Sequence, residues 1–167
     1  KLHDGCENHL TPEFMARVGT DDARTLAGGP YVLVELPFAS PVSGLRDLLF
    51  KIQLTRKRVV FAHPERVAQF AGRLDAARVM FDAGAQFQLE VASLAGMYGP
   101  VAKKTAQSML DEGLIAFVST DAHHPRTTDE ILGTGMKALA KHVGATRLQL
   151  LTEENPSRVL RGAQLLY

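Results

Sequence analysis

The chain has no tryptophan and a single cysteine, Cys6, in 167 residues. One cysteine excludes an internal disulfide framework and suits a reducing compartment, so the cytoplasm is the expected location. No apolar run approaches the roughly 18 residues that a membrane-spanning helix needs, and no secretory-signal pattern stands at the start. An excess of charge is missing too. Nineteen basic residues face 18 acidic ones, for a formal net charge of +1. That balance gives no reason to expect a nucleic-acid or membrane-surface binder. Repeats and low-complexity stretches are also absent. What the chain does have is apolar residues, 46% of the total, enough for the core of one domain.

Strand and helix patterns alternate. Tyr31–Glu35 (YVLVE) is β-branched and aromatic, and it follows the turn signal Gly28-Gly29-Pro30. Val42–Leu54 has helical spacing, with Leu45, Leu48, Leu49 and Ile52 on one side. Val59–Ala62 (VVFA) reads as a short buried strand, Asp75–Ala83 as a helix stopped by Gly84, and Gln86–Glu90 (QFQLE) as a strand. Val101–Glu112 reads as a helix closed by Gly113, Leu114–Ser119 as another apolar strand, and Asp129–Lys141 as a helix, with helical segments continuing to Leu165. Alternation of this kind predicts an α/β fold: a parallel sheet with crossover helices, either open or closed into a barrel. In both forms, polar chemistry collects at the C-terminal ends of strands.

Polar residues do end these strands. Glu35 closes the first, and His63-Pro64-Glu65-Arg66 follows the second. Gln88 and Glu90 lie on the third, and Thr120-Asp121-Ala122-His123 follows the fourth. Ahead of them stands Gly5-Cys6-Glu7-Asn8-His9. Side chains two apart on a strand share a face. Glu35 therefore lies with Leu33 and Tyr31, and Asp121 with His123 if the extended conformation persists past Ser119. Carboxylates and imidazoles gathered this way suit Zn, Mn or Fe. Arg66 and Arg126 are placed in sequence to hold phosphate oxygens. Simpler readings exist for each residue alone. His63 could be a core histidine, Asp121 a helix cap, and Arg66 a structural partner of Glu65 or Glu90. Cys6 has no arginine five residues on, as a cysteine phosphatase would need, and reads as inert.

The run FAHPER, with QLEVASLAGMYG and AKKTAQSMLDEGLIAFVSTDAH, resembles the polymerase-and-histidinol-phosphatase (PHP) superfamily, and within it the CpsB/CapC-type bacterial tyrosine phosphatases. GCENHLTPEF, YVLVELPF and TEENPSRVL extend the likeness over nearly the whole chain. The resemblance implies the C-terminal portion of a distorted (β/α)7 PHP-type barrel with parallel strands and outer helices. It implies hydrolysis of phosphotyrosine on protein, the substrate being a bacterial tyrosine kinase of capsule and exopolysaccharide synthesis. Glu7, Glu35, His63, Asp121 and His123 match the family's metal ligands, and Arg66 and Arg126 its phosphate-binding arginines. Two or three divalent ions (Mn, Fe or Zn) are implied in a complete site, and fewer here. The family opens with a His-x-His strand that has no counterpart ahead of Glu7, and it tends to carry Asn where this chain has Glu90. Residues 1–167 are thus expected to be a single PHP-like domain lacking its N-terminal strands, with a homo-oligomer as one consequence of an unpaired edge. Two other readings stand beside the tyrosine phosphatase: a small-molecule phosphatase of the histidinol-phosphate type, and a non-catalytic remnant or binding module.

Overall fold

The computed structural model describes residues 2–20 and 22–167, except for the side chains of Arg126 and Thr127. The described residues form a parallel sheet in the order β1 (Glu7–His9), β2 (Tyr31–Glu35), β3 (Arg58–Ala62), β4 (Gln86–Glu90), β5 (Ile115–Ser119). Helices run between and after the strands: α1 (Pro12–Arg17), α2 (Leu45–Leu54), α3 (Leu74–Asp82), α4 (Val91–Ala95), α5 (Gly99–Asp111), α6 (Pro125–Glu130), α7 (Met136–Val143), α8 (Ala145–Gln149) and α9 (Asn155–Leu160). Neighbours in the sheet are neighbours in the chain, so the order never reverses. All strands being parallel, their C-terminal ends lie along one edge of the sheet. Among these residues no helix is long and apolar enough to cross a membrane.

The pleat sorts side chains onto two faces. Val32 and Val34 of β2, Val59 and Phe61 of β3, Phe87 and Leu89 of β4, and Ile115 of β5 belong to the main core. There they meet Leu45, Leu49 and Ile52 of α2, Ala77 and Met80 of α3, and Ala106, Met109 and Leu110 of α5. The opposite face carries Tyr31, Leu33, Val60, Ala116 and Phe117, which join a second cluster with Val159, Leu165 and Leu26. The β1–β2 pairing sets Glu7 opposite Leu33 and His9 opposite Glu35. Both acids therefore lie on this second face, as does Glu90, which pairs with Ser119.

The C-terminal segment seals the second face at the start of the strands. The Tyr31 hydroxyl donates to the Ala163 carbonyl at 2.6 Å. Register slips between β4 and β5, where Phe87 and Gln88 are consecutive but pair with Ile115 and Phe117, leaving Ala116 as an extra residue. The amide of fully buried Asn155 uses that bulge. It donates to the Ala116 carbonyl at 2.7 Å and the Leu166 carbonyl at 2.8 Å, and accepts from the Leu166 N–H at 2.9 Å. On the other side, a π-helical turn (Ile131–Gly135) precedes α7 and packs directly on α4. A Cβ at Gly135 would stand 2.8 Å from the Val91 carbonyl oxygen, so only glycine fits that approach.

A short 3-10 turn, Pro64–Arg66, follows β3 and is fastened by Glu65. The Glu65 carboxylate is fully buried and accepts from the Ser93 hydroxyl at 2.7 Å and the Glu90 N–H at 3.2 Å. This ties the end of β3 to the junction of β4 and α4. Burial lifts the Glu65 carboxyl from 4.5 to about 7, against the pull of Ser93 and the backbone donors. The neutral acid is thus the form that favours folding. Its contribution is complete below 4.5 and is lost as the pH rises through about 7.

Two measurements follow from these ties. Asn155→Ala strands buried backbone groups at the bulge and should cost about 3 kcal/mol, lowering the thermal midpoint by roughly 6–12 °C. A midpoint within a degree of the parent would dismiss the clamp. Glu65→Gln keeps an acceptor for Ser93 without the buried charge. Its midpoint, relative to the parent's, should rise between pH 5 and pH 8; a gap that stays constant across that range would contradict the assignment.

Candidate metal centre

Residues from three neighbouring strands converge on one spot. Glu7 comes from β1, Glu35 is the last residue of β2, and His63 follows β3. One ligand atom from each lies within 4.8 Å of the others, close enough for a single cation to reach all three. The His63 Nε2 stands 3.4 Å from Glu35 Oε1 and 3.7 Å from Glu7 Oε1. His63 is buried, and its Nδ1 is without a hydrogen-bond partner. His9 reaches the other oxygen of Glu35 through its Nδ1.

The backbone is strained to aim the imidazole. His63 has φ 31°, a left-handed value unusual for a residue with a side chain. Pro64 follows with its own fixed φ, and the Arg66 N–H donates to the His63 carbonyl at 3.0 Å, closing the turn. Phe38 lies nearly parallel to the ring, with centroids 5.3 Å apart and 13° between planes. The His63 hydrogen bond and charge hold the Glu7 carboxyl below its ordinary value. Burial disfavours the imidazolium, yet the Glu7 carboxylate outweighs it and His63 is raised overall. Two carboxylates around a buried imidazole make a site that attracts positive charge.

Arg66 organises the neighbouring half. Its Nη1 contacts Glu90 Oε2 at 2.5 Å and Asp121 Oδ2 at 3.2 Å. The guanidinium carbon lies 3.9 Å from the centre of the Tyr98 ring and 5.0 Å from that of Phe38. Tyr98 donates its hydroxyl to Glu90 Oε1 at 2.5 Å. Burial raises the Glu90 carboxyl even though Tyr98 and Arg66 oppose it. Burial and the Glu90 acceptor together raise the Tyr98 phenol.

Of the residues singled out in the sequence, Glu7, Glu35 and His63 form the cluster, and Arg66 stands beside it. Asp121 is joined through Arg66 and also contacts His123, Oδ1 to Nε2, at 3.2 Å. The extended conformation does not persist past Ser119. Asp121 turns into the left-handed region at φ 46°, so the two-residue strand rule fails there. Its consequence is that His123 points outward, 85% exposed, while Asp121 is mostly covered. The partner of Arg66 is Glu90; Glu65 faces the other way, toward Ser93. Arg126 falls in α6, and its side chain lies outside the described residues. Phe38 and Tyr98 were not singled out. Phe38 stands three residues after the strand-end acid Glu35, a position that could have drawn notice, whereas Tyr98 follows Glu90 by eight residues with α4 between and carries no such signal.

Comparison with known proteins shows what the chain is similar to. Tyrosine-protein phosphatase YwqE of Bacillus subtilis (strain 168) is 30% identical over 131 residues, 78% of this chain and 51% of that protein. CapC of Staphylococcus aureus is 26% identical over 122 residues, 73% of this chain and 48% of that protein. A solved structure superposes with a TM-score of 0.88 at 26% identity, covering 98% of this chain and 66% of the other. It comes from crystal structures of YwqE from Bacillus subtilis and CpsB from Streptococcus pneumoniae, described as metal-dependent tyrosine phosphatases. The chain thus spans about half the length of the curated relatives it matches. The profile described as "Capsular polysaccharide synthesis, CpsB/CapC" matches residues 1–161, and the chain belongs to the CpsB/CapC family.

Proposed function

We propose that this protein is a metal-dependent phosphatase that hydrolyses phosphotyrosine on protein substrates. The observation that carries the proposal is the meeting of Glu7, Glu35 and His63 within 4.8 Å, with Arg66 alongside. In this reading the three residues are metal ligands. Asp121 and His123, paired with each other beyond Arg66, supply further donors. Two carboxylates and an imidazole fit Mn, Fe or Zn, which accept mixed oxygen and nitrogen ligands. A divalent ion, when bound, supplies Lewis acidity to water and to phosphoryl oxygens. The non-reversing strand order and the sealed second face support a distorted, seven-stranded PHP-type barrel with the site at its C-terminal rim.

The chain's own residues divide the work. Glu7, Glu35 and His63 would hold the cation, whose charge would offset the two carboxylates and draw an anionic phosphate. Arg66 presents a guanidinium whose planar donors match phosphoryl oxygens in pairs. Binding the phosphoryl means exchanging the contacts to Glu90 and Asp121 for contacts to substrate. Aryl phosphates have a good leaving group, so stabilising charge on the phosphoryl oxygens does most of what is required. The names of YwqE and of the solved relatives support tyrosine phosphate on protein as the substrate class. The family's description supports a place in capsule synthesis; in this reading the phosphorylated protein would be a bacterial tyrosine kinase and the compartment the cytoplasm.

With Mn²⁺ the protein should release phosphate from a phosphotyrosine peptide faster than from a phosphoserine peptide or histidinol phosphate, and a chelator should abolish the release. A folded protein with no metal-dependent turnover would refute the proposal, and a preference for histidinol phosphate would redirect it to small molecules. His63→Ala should reduce both bound metal and turnover. Arg66→Ala should keep its metal while kcat falls about 10²–10³-fold; elemental analysis beside the assay separates the two.

A further inference from the structure

We propose that Phe38 and Tyr98 form an aryl-binding rim around Arg66 that selects phosphate esters of a phenol, as in a phosphotyrosine side chain, over esters of an alcohol. The proposal rests on the phosphatase reading and adds to it the group that recognises the leaving side of the substrate. These two aromatic residues are exposed by 44% and 41%. Exposed apolar side chains grouped beside a buried polar centre mark a surface that something covers.

Two separate loops supply the rim. Phe38 follows β2, in a segment held by the Ala68 N–H, which donates to the Phe38 carbonyl at 2.9 Å. Met97 and Tyr98 occupy the turn between α4 and α5, bracketed by Gly96 and Gly99 at φ 86° and 89°. Those left-handed glycines let the turn fold back so that Tyr98 reaches Glu90 and lies over the guanidinium. Arg66 is thereby flanked by the rings of Tyr98 and Phe38 at 3.9 Å and 5.0 Å. Both rings are fixed before any ligand arrives, Tyr98 by its hydroxyl and Phe38 by stacking on His63. Little ordering is left for binding to impose.

The placement has a chemical consequence. A phosphoryl group held by Arg66 would lie beside the rings of Phe38 and Tyr98. A flat aromatic ester substituent can stack there and bury apolar area. A short alkyl substituent offers too little surface. Aromatic contacts of this kind are worth roughly tenfold in affinity.

The test compares phenylphosphonate with methylphosphonate, titrated calorimetrically into the Mn²⁺-loaded protein, its Phe38→Ala and Phe38→Leu variants, and a Phe50→Ala control on the exposed side of α2. The parent and the control should bind the phenyl compound roughly tenfold more tightly than the methyl compound. Phe38→Ala should bring that ratio near one, with Phe38→Leu between. A parent ratio near one, an unchanged ratio in both Phe38 variants, or no binding of either compound would overturn the rim. Turnover of p-nitrophenyl phosphate by the same preparations separates the two levels. Turnover without a phenyl preference removes the rim and leaves the phosphatase reading, whereas a phenyl preference without turnover does the reverse.

Discussion

The site depends on how four residues leave strand β3. His63 bends into the left-handed region, Pro64 fixes the next step, Glu65 drops into the core, and Arg66 swings outward. The Glu65 contacts with Ser93 and the Glu90 N–H hold that turn against the next strand. From it, an imidazole reaches toward Glu7 and Glu35 on one side, and a guanidinium toward Glu90 and Asp121 on the other. Without the strain at His63, the imidazole and the guanidinium would not be divided between two acidic neighbourhoods. Strain of this size, of order 1–3 kcal/mol, persists only where surrounding contacts enforce it. Here Phe38, Ser93 and the strand junction do so.

Electrostatics explains why the two halves belong together. Glu7, Glu35, Glu90 and Asp121 bring four carboxyl groups to one rim, where Arg66 and the imidazoles of His63, His9 and His123 lie against them. Partial burial makes each uncompensated charge costly. The surroundings respond in the expected directions: Glu90 is pushed up by burial, while Glu7 is held down by its histidine. A rim with this excess of acid accommodates further positive charge readily. Arg66 bridges Glu90 and Asp121 across that rim and neutralises part of its acid.

Much of this was legible in the residues. Strands β2 to β5 follow their apolar, β-branched runs nearly to the residue, and the acids and histidine that end them are where a parallel sheet gathers polar groups. The helices were legible less sharply. The expected start of α2 at Val42 gives way to Leu45, because Gly44 takes a left-handed conformation that a right-handed helix cannot include. Helix α1 passed unnoticed although Thr11 caps it and Pro12 opens it, because it is only six residues long. Helix α4 hides for a different reason: Val91 to Leu94 are all buried, so the segment shows no period to read. The last helical stretch begins at Pro125, ahead of the expected Asp129, and passes through a π-helical turn that no propensity marks. At the site, strand parity placed Glu35 well but misplaced His123, because the backbone reverses hand at Asp121. The aromatic pair around Arg66 depends on two loops far apart in the chain, and no local pattern connects them.

The C-terminal clamp has a consequence for how the molecule can change over time. Tyr31, Gln86 and Ala116, which receive the tail, lie toward the start of their strands, whereas Glu35, Glu90 and His63 stand at or just past the finish. The packed tail and the candidate metal centre therefore occupy opposite poles of the same sheet. Substitutions among Asn155, Leu165 and Tyr167 can raise or lower the fold's tolerance to heat while the candidate ligands keep their positions. The loops at the other pole are free to vary in length and chemistry without loosening the seal beneath them.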